Sequence, residues 1–324
     1  MTASFGSSFF VYPREFAPCN AALLPLPQPQ MPTLSPSRCT LAVLNGFSQI
    51  FLQTHPGCGL LILLAIALYT PALLVGAMVG TLAGTFSAVA LGYRQSDIEI
   101  GLYGYNAALL GLLFALLLGL SALTLGLIAI GSVVTNLLQV RLMAAMRERN
   151  WLPGFTLPFV LFGWLALGLA GALDLVNQAR LDAPLILDGQ GLLFAVASGI
   201  GQIIFLGQPL AGFLLLVAVW LADRRAAAWM LGGSVGGLAL VLAAGGSEQQ
   251  ALAGLAGYNP ALAALAVSQV HRSWLAPLLA IIAAVLLRAA FDWLSLPPLT
   301  MPFIMACWLV ALGRRWRARR SASL

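Results

Sequence analysis

From residue 39 onward the chain alternates long apolar runs with short polar breaks, the pattern of helical spans rather than alternating strands. Apolar runs extend from about Cys39 to Gln53, Gly59 to Thr70, Leu73 to Leu91 and Leu118 to Met146. YRQSDIE reads as a polar loop after the third of these. The glycine-rich stretch GLYGYNAALLGLLFAL (101–116) is too short to cross with its loops and predicts a re-entrant half-helix. LPGFTLPF (152–159) then opens a fifth crossing that runs to about Leu173. A polar linker at 174–189 divides the molecule, and the pattern starts again. Residues 38–173 and 190–312 therefore read as two membrane repeats, followed by a basic tail at 313–324. Residues 1–37 are rich in proline and serine without helical periodicity, which predicts a disordered tail.

Three motifs recur in order. LPGFTLPF at 152–159 returns as LPPLTMPF at 296–303, 144 residues later. GFSQIFLQTHPGCG (46–59) returns as GIGQIIFLGQPLAG (199–212), and GLYGYNAAL (101–109) as GLAGYNPAL (254–262), each 153 residues later. The second half is thus nine residues shorter before its last motif. Shared composition of buried helices could mimic one such match but not three, so the chain is an internal duplication. Each Pro-Thr-Pro string leaves backbone carbonyls without helical partners. In lipid that is tolerated where the freed groups are buried in protein or line a watery path.

Composition sharpens the class. Of 324 residues, 60% are hydrophobic and 8% charged, with a mean hydropathy of +0.94. A soluble domain carries roughly 25% charged residues, so the fold class is an all-α integral membrane protein. The net charge of +6 is all arginine, since there is no lysine, and the arginines cluster in short loops and at the C-terminus. Topology explains that balance better than a nucleic-acid partner. Five crossings plus one half-helix is an odd number, so the second repeat enters from the opposite side, an inverted-topology arrangement with a solute path between the repeats. With both termini inside, eleven arginines (14, 38, 141, 147, 149, 272, 314, 315, 317, 319 and 320) face the cytoplasm. Five (94, 180, 224, 225 and 288) lie outside, in line with the positive-inside rule. Cys19, Cys39, Cys58 and Cys307 have no metal-ligand spacing, and His55 and His271 have no third ligand nearby.

The paired motifs resemble the urea transporter family. The resemblance rests on the doubled Leu-Pro-x-x-Thr-x-Pro-Phe string, the paired Gly-x-x-Gln segments (46–49 and 199–202) and the paired Gly-Tyr-Asn-x-x-Leu segments (104–109 and 257–262). It covers almost everything between residues 40 and 312. It implies a homotrimer of the bacterial type in the cell membrane, with a pore in each protomer and urea moving passively, without cofactor. By motif position it assigns Gln49, Ile50 and Leu52 to one mouth and Gln202, Ile203 and Phe205 to the other. Tyr105, Leu109, Tyr258 and Leu262 become slot walls, and Thr156 and Thr300 the narrow middle.

The residues themselves suit that chemistry. Urea is planar and neutral, with four N–H donors and one carbonyl, and each group stripped of water unpaired costs roughly 1–3 kcal/mol. A selective path needs a narrow slot and a row of acceptor oxygens. Gln49 and Gln202 offer side-chain carbonyls, Thr156 and Thr300 hydroxyls, and broken helix ends backbone oxygens. No acid falls inside the repeated motifs, which argues against a proton relay. Leu52 stands where the family commonly has an aromatic wall, and Tyr105 and Tyr258 where phenylalanine is common. A channel of the same fold for short amides or ammonia therefore stays open. An intramembrane enzyme would need a nucleophile beside a base, or a metal triad, and the motifs supply neither. Asn106 and Asn259 read as caps of the half-helices, His55 and His271 as interfacial polar residues, and Asp292 as an outer-surface charge.

Overall fold

Prolines open many of the helices, because proline's missing N–H and fixed φ suit the first helical turn. Pro36, Pro56, Pro71 and Pro209 each take that position. The computed structural model describes residues 35–148, 152–172 and 187–321, which are helical with no strand among them. Residues 1–34, most of the expected N-terminal tail, and 173–186, most of the polar linker, lie outside the described residues.

The first series of helices is α1 (Pro36–Gln49), α2 (Pro56–Tyr69), α3 (Pro71–Ala90), α4 (Gln95–Glu99), α5 (Tyr105–Leu118), α6 (Ala122–Glu148) and α7 (Leu157–Ala172). The second is α8 (Gly189–Gly201), α9 (Pro209–Ala222), α10 (Arg224–Ala243), α11 (Glu248–Leu252), α12 (Tyr258–Val270), α13 (Leu275–Trp293) and α14 (Met301–Ser321). The starts of α2, α3, α4, α5 and α6 recur 153 residues later, and that of α7 recurs 144 later. The missing nine residues have a definite place. Helix α6 has 27 residues against 19 in α13, which accounts for eight, and the following connector supplies the ninth.

Two local expectations change. Within the stretch read as a polar loop, Gln95–Glu99 forms one helical turn, α4, with Asp97 in the first turn where the helix dipole favours an acid. The half-helix begins at Tyr105 rather than 101 because Gly101 (φ +80°) turns the chain. A Cβ on Gly101 would stand 2.2 Å from the Gly46 nitrogen, so glycine lets the loop press against α1.

Length separates the helices into two kinds. Helices α3, α6, α10 and α13 are long and apolar enough to cross a bilayer unaided. Helices α1, α2 and α5 have 14 residues each, about 21 Å at 1.5 Å per residue, short of a hydrocarbon core of about 30 Å. Residues Gly189–Ile204 and Pro209–Ala222 form an apolar pair bent by 72°. The basic residues Arg314, Arg315, Arg317 and Arg320 continue α14 without a break.

Small residues draw the helices together. A Cβ on Gly59 would lie 1.9 Å from the Leu44 carbonyl oxygen, and one on Gly212 would lie 1.7 Å from the Ala197 oxygen. These matched contacts let α2 cross α1, and α9 cross α8, at backbone distance. The series meet where α2 packs on α9 and α7 on α14. Outward, large apolar side chains stand exposed, among them Leu123, Ile130, Leu193, Phe213 and Leu286, as a lipid-facing surface requires. Trp220, Trp274, Trp293 and Trp316 are exposed near helix ends, where indole rings suit the headgroup level.

Candidate functional site

The two Pro-Thr-Pro strings come together at the meeting of the series. In each, the residue before the threonine adopts a left-handed backbone, Phe155 at φ +45° and Leu299 at φ +43°. Such a conformation costs a non-glycine residue on the order of 1–3 kcal/mol and persists where its surroundings hold it. The threonines next in the chain stand directly before α7 and α14. Their hydroxyls are hydrogen-bonded to each other at 2.7 Å, and each residue is 4% exposed. The Phe155 and Phe303 rings lie 5.0 Å apart, and those of Phe159 and Phe205 lie 6.4 Å apart.

Four backbone carbonyls of the strings accept from side chains of the protein. The Trp164 indole donates to the Pro297 carbonyl at 2.7 Å, and Trp308 donates to that of Pro153 at 2.9 Å. Each tryptophan belongs to one series and each proline to the other, so the two bonds are reciprocal. Tyr105 Oη donates to the Phe155 carbonyl at 2.6 Å, and Asn259 Nδ2 donates to that of Leu299 at 3.0 Å. The broken helix ends thus serve internal donors, where the strings alone suggest oxygens available to a solute.

Asn106 and Asn259 cap neighbouring helices rather than their own. The N-caps of α5 and α12 are Gly104 and Gly257, without a side-chain bond. Asn106 Oδ1 instead accepts from the Phe159 N–H, and Asn259 Oδ1 from that of Phe303. Phe159 and Phe303 lie in the first turns of α7 and α14, whose N–H groups have no acceptor within the helix and must be met from outside it. Each short helix is thereby tied to the Pro-Thr-Pro string beside it. His55 also acts locally, its Nδ1 accepting from the Cys58 N–H at the start of α2.

The glutamines occupy equivalent places. Gln49 Nε2 donates to the Ile100 carbonyl at 2.9 Å, and Gln202 Nε2 to the Ala253 carbonyl at 3.0 Å, positions again 153 apart. Holding the amide by its nitrogen leaves the oxygen as the free end. Gln49 is fully buried, and its Oε1 has no partner among the described residues. Such an acceptor costs about 1–3 kcal/mol unless something donates to it. Three residues beyond each glutamine the backbone turns left-handed, at Leu52 (φ +56°) and Phe205 (φ +64°). Gln269 of α12 reaches across to donate to the Leu52 carbonyl at 3.3 Å.

The remaining residues form walls. Ile50, Leu52, Tyr105, Leu109, Ile203, Tyr258 and Leu262 are buried in one apolar cluster, with Phe205 packed against it. On the second-series side a cavity of about 240 Å³ opens among Gln202, Ile203, Phe205, Tyr258 and Thr300, and Phe159 of the first series joins its wall. Leu262 lies outside that lining, in the packed cluster.

Sequence patterns do not single out three further participants. Trp164 and Trp308 repeat at the same 144-residue offset as the strings, a signal that carries no chemistry until the carbonyls are placed. Arg288 lines the cavity, although its position along the chain marks it only as an outside charge. Its counterpart 153 residues earlier is Thr135, so the duplication gives no pointer to it.

Polar side chains buried where two helical series meet, inside an apolar exterior, define a membrane transport protein of the polytopic helical class. The urea transporter family model matches residues 40–315, and the chain belongs to that family. It is 29% identical over 300 residues to urea transporter 1 of Ovis aries, covering 83% of this chain and 76% of that protein. Urea transporter 1 of Rattus norvegicus is 28% identical over 301 residues, with the same coverage. Members of this family are transporters rather than enzymes.

Proposed function

We propose that the protein conducts urea passively across the membrane, along a path that runs between the two helical series through the Thr156–Thr300 junction. The observation that carries this reading is the 2.7 Å hydroxyl pair, buried at the contact of two duplicated strings in a member of the urea transporter family. The path is lined at one end by Gln49, Ile50 and Leu52 and at the other by Gln202, Ile203 and Phe205. Tyr105, Leu109, Tyr258 and Leu262 wall it. Its amide and hydroxyl oxygens replace water around the four N–H groups, and its flat apolar walls hold a planar solute edge-on.

In the same reading α1, α2, α3, α6 and α7 cross the bilayer, as do α8, α9, α10, α13 and α14, the short ones where the bilayer thins to match them, while α4–α5 and α11–α12 dip in and return. The repeats are inverted with both termini cytoplasmic, and the chain assembles as a homotrimer with one pore per protomer. The reciprocal tryptophan bonds support the two-fold relation, since symmetry of that kind makes residue i contact j and j contact i.

Urea efflux from proteoliposomes, followed by stopped-flow light scattering, tests the function. The expected result is a flux well above that of empty vesicles, saturating only at high concentration and indifferent to a pH gradient. Flux equal to empty vesicles overturns it. A second reading, short amides or ammonia as the preferred solute, is favoured by one observation. Leu52 provides no ring where Phe205 provides one at the other end. Parallel flux of urea, acetamide, ammonia and water decides between them.

A further inference from the structure

Arg288 is the feature that the duplication does not explain. It sits on α13, where the first series has Thr135 at the matching place in α6. Its side chain is 14% exposed and forms part of the cavity wall with Gln202, Phe205, Tyr258 and Thr300. The group is anchored on three sides. Nε lies 3.0 Å from both carboxylate oxygens of Asp292, one turn further along α13. Nη1 donates to the Leu255 carbonyl at 2.7 Å. The guanidinium carbon is 5.9 Å from the centre of the Tyr258 ring. Asp292, read from sequence as an outer-surface charge, therefore acts as the anchor of this arginine.

The first series solves the same backbone problem without charge. Gln139, which matches Asp292, donates to the Leu102 carbonyl, which matches Leu255. Capping that carbonyl therefore does not require an arginine. What the arginine adds is a planar fork of N–H donors on a cavity otherwise supplied with acceptors, and Nη2 takes no part in the anchoring bonds.

We infer that Arg288 is a specificity-determining residue at the second-series mouth, donating to the carbonyl oxygen of an entering solute while the Gln202 amide oxygen accepts from its N–H groups. The inference rests on the proposed path. It makes the two ends unlike: one recognises both edges of a urea or short amide, while the other, with Thr135 in that place, presents no cation. Solutes with a carbonyl gain from Arg288, and ammonia, which has none, does not.

The test compares wild type, Arg288→Gln, Arg288→Thr and Arg288→Lys in proteoliposomes, with urea, acetamide and ammonia as permeants. A donor on a charged group is worth enough to change half-saturation by about tenfold. Arg288→Gln and Arg288→Thr are expected to raise the half-saturating urea and acetamide concentrations by about that factor, with ammonia flux unchanged. Arg288→Lys keeps the charge but loses the planar fork, and is expected to fall between them and wild type. Equal losses for all three solutes, or unchanged half-saturation in folded protein, overturn the inference. Should the uncharged variants fail to fold, the same comparison on Arg288→Lys decides it. Absence of urea flux in wild type defeats the path itself, a different outcome.

Discussion

The hydroxyls of Thr156 and Thr300 satisfy each other at 2.7 Å. In the proposed path a solute passing between them exchanges that bond for bonds to its own N–H groups, which spares the junction an unpaired buried oxygen. That exchange is the role the proposed path gives to hydroxyls rather than methyl groups at this place. Valine has threonine's shape without its oxygen. Thr156→Val and Thr300→Val are each expected to slow urea flux about tenfold, the worth of roughly 1.4 kcal/mol of lost pairing, while folded yield is maintained. The double variant is expected to lose less than the product of the two, because each hydroxyl's partner is the other. Stopped-flow rates for the four proteins measure both effects, and full activity in both single variants removes the threonines from the path. Around the junction, matching carbonyls are served by donors that do not match. Tyr105 serves the Phe155 carbonyl, while Asn259 serves that of Leu299.

Among the elements, short helices and close crossings do the positioning. Helices α5 and α12 start from glycine turns and carry Asn106 and Asn259 to the first turns of α7 and α14. Their placement depends on neighbours packed at backbone distance. The tightest backbone contacts among the described residues join α2 to α1 and α9 to α8, at Gly59 and Gly212, where an added Cβ meets a carbonyl oxygen at 1.9 and 1.7 Å. Backbone on both sides leaves no flexible side chain to move aside. Gly59→Ala and Gly212→Ala are each expected to abolish the monodisperse species in detergent size exclusion. Gly232→Ala, whose Cβ meets nothing within 4 Å, is expected to elute as wild type. A monodisperse Gly59→Ala protein with wild-type stability would refute the close-crossing argument.

For the molecule as a whole, the reciprocal bonds of Trp164 and Trp308 link the series on both sides of the junction. Trp164→Phe and Trp308→Phe remove one N–H each and leave a proline carbonyl short of a donor. Each is expected to cost about 0.5–1.5 kcal/mol of stability, the net worth of a hydrogen bond that is not fully buried. The two losses should be similar in size if the two-fold relation holds, as thermal unfolding in detergent would measure. A large cost from one and none from the other contradicts that relation. The apolar exterior and the tryptophans near helix ends fit a protein set in a bilayer.

Much of this is legible in the order of residues. Hydropathy and the scarcity of charge require a helical membrane protein, because lipid leaves backbone groups no partner outside a helix. The repeated strings, being local patterns at fixed offsets, mark the duplication, the helix breaks and the matched glutamines and threonines. The tertiary structure decided what those groups bond to. Thr156 and Thr300 are 144 residues apart and meet because two strings from different series converge. Whether a freed carbonyl awaits a solute or is taken by Trp308 or Tyr105 depends on distances between remote helices, which no local pattern encodes. Arg288 is the sharpest case. As a residue in a sequence it is a charge to be placed on one side of a membrane; only packing against Tyr258, Asp292 and the Leu255 carbonyl sets it on the wall of the cavity.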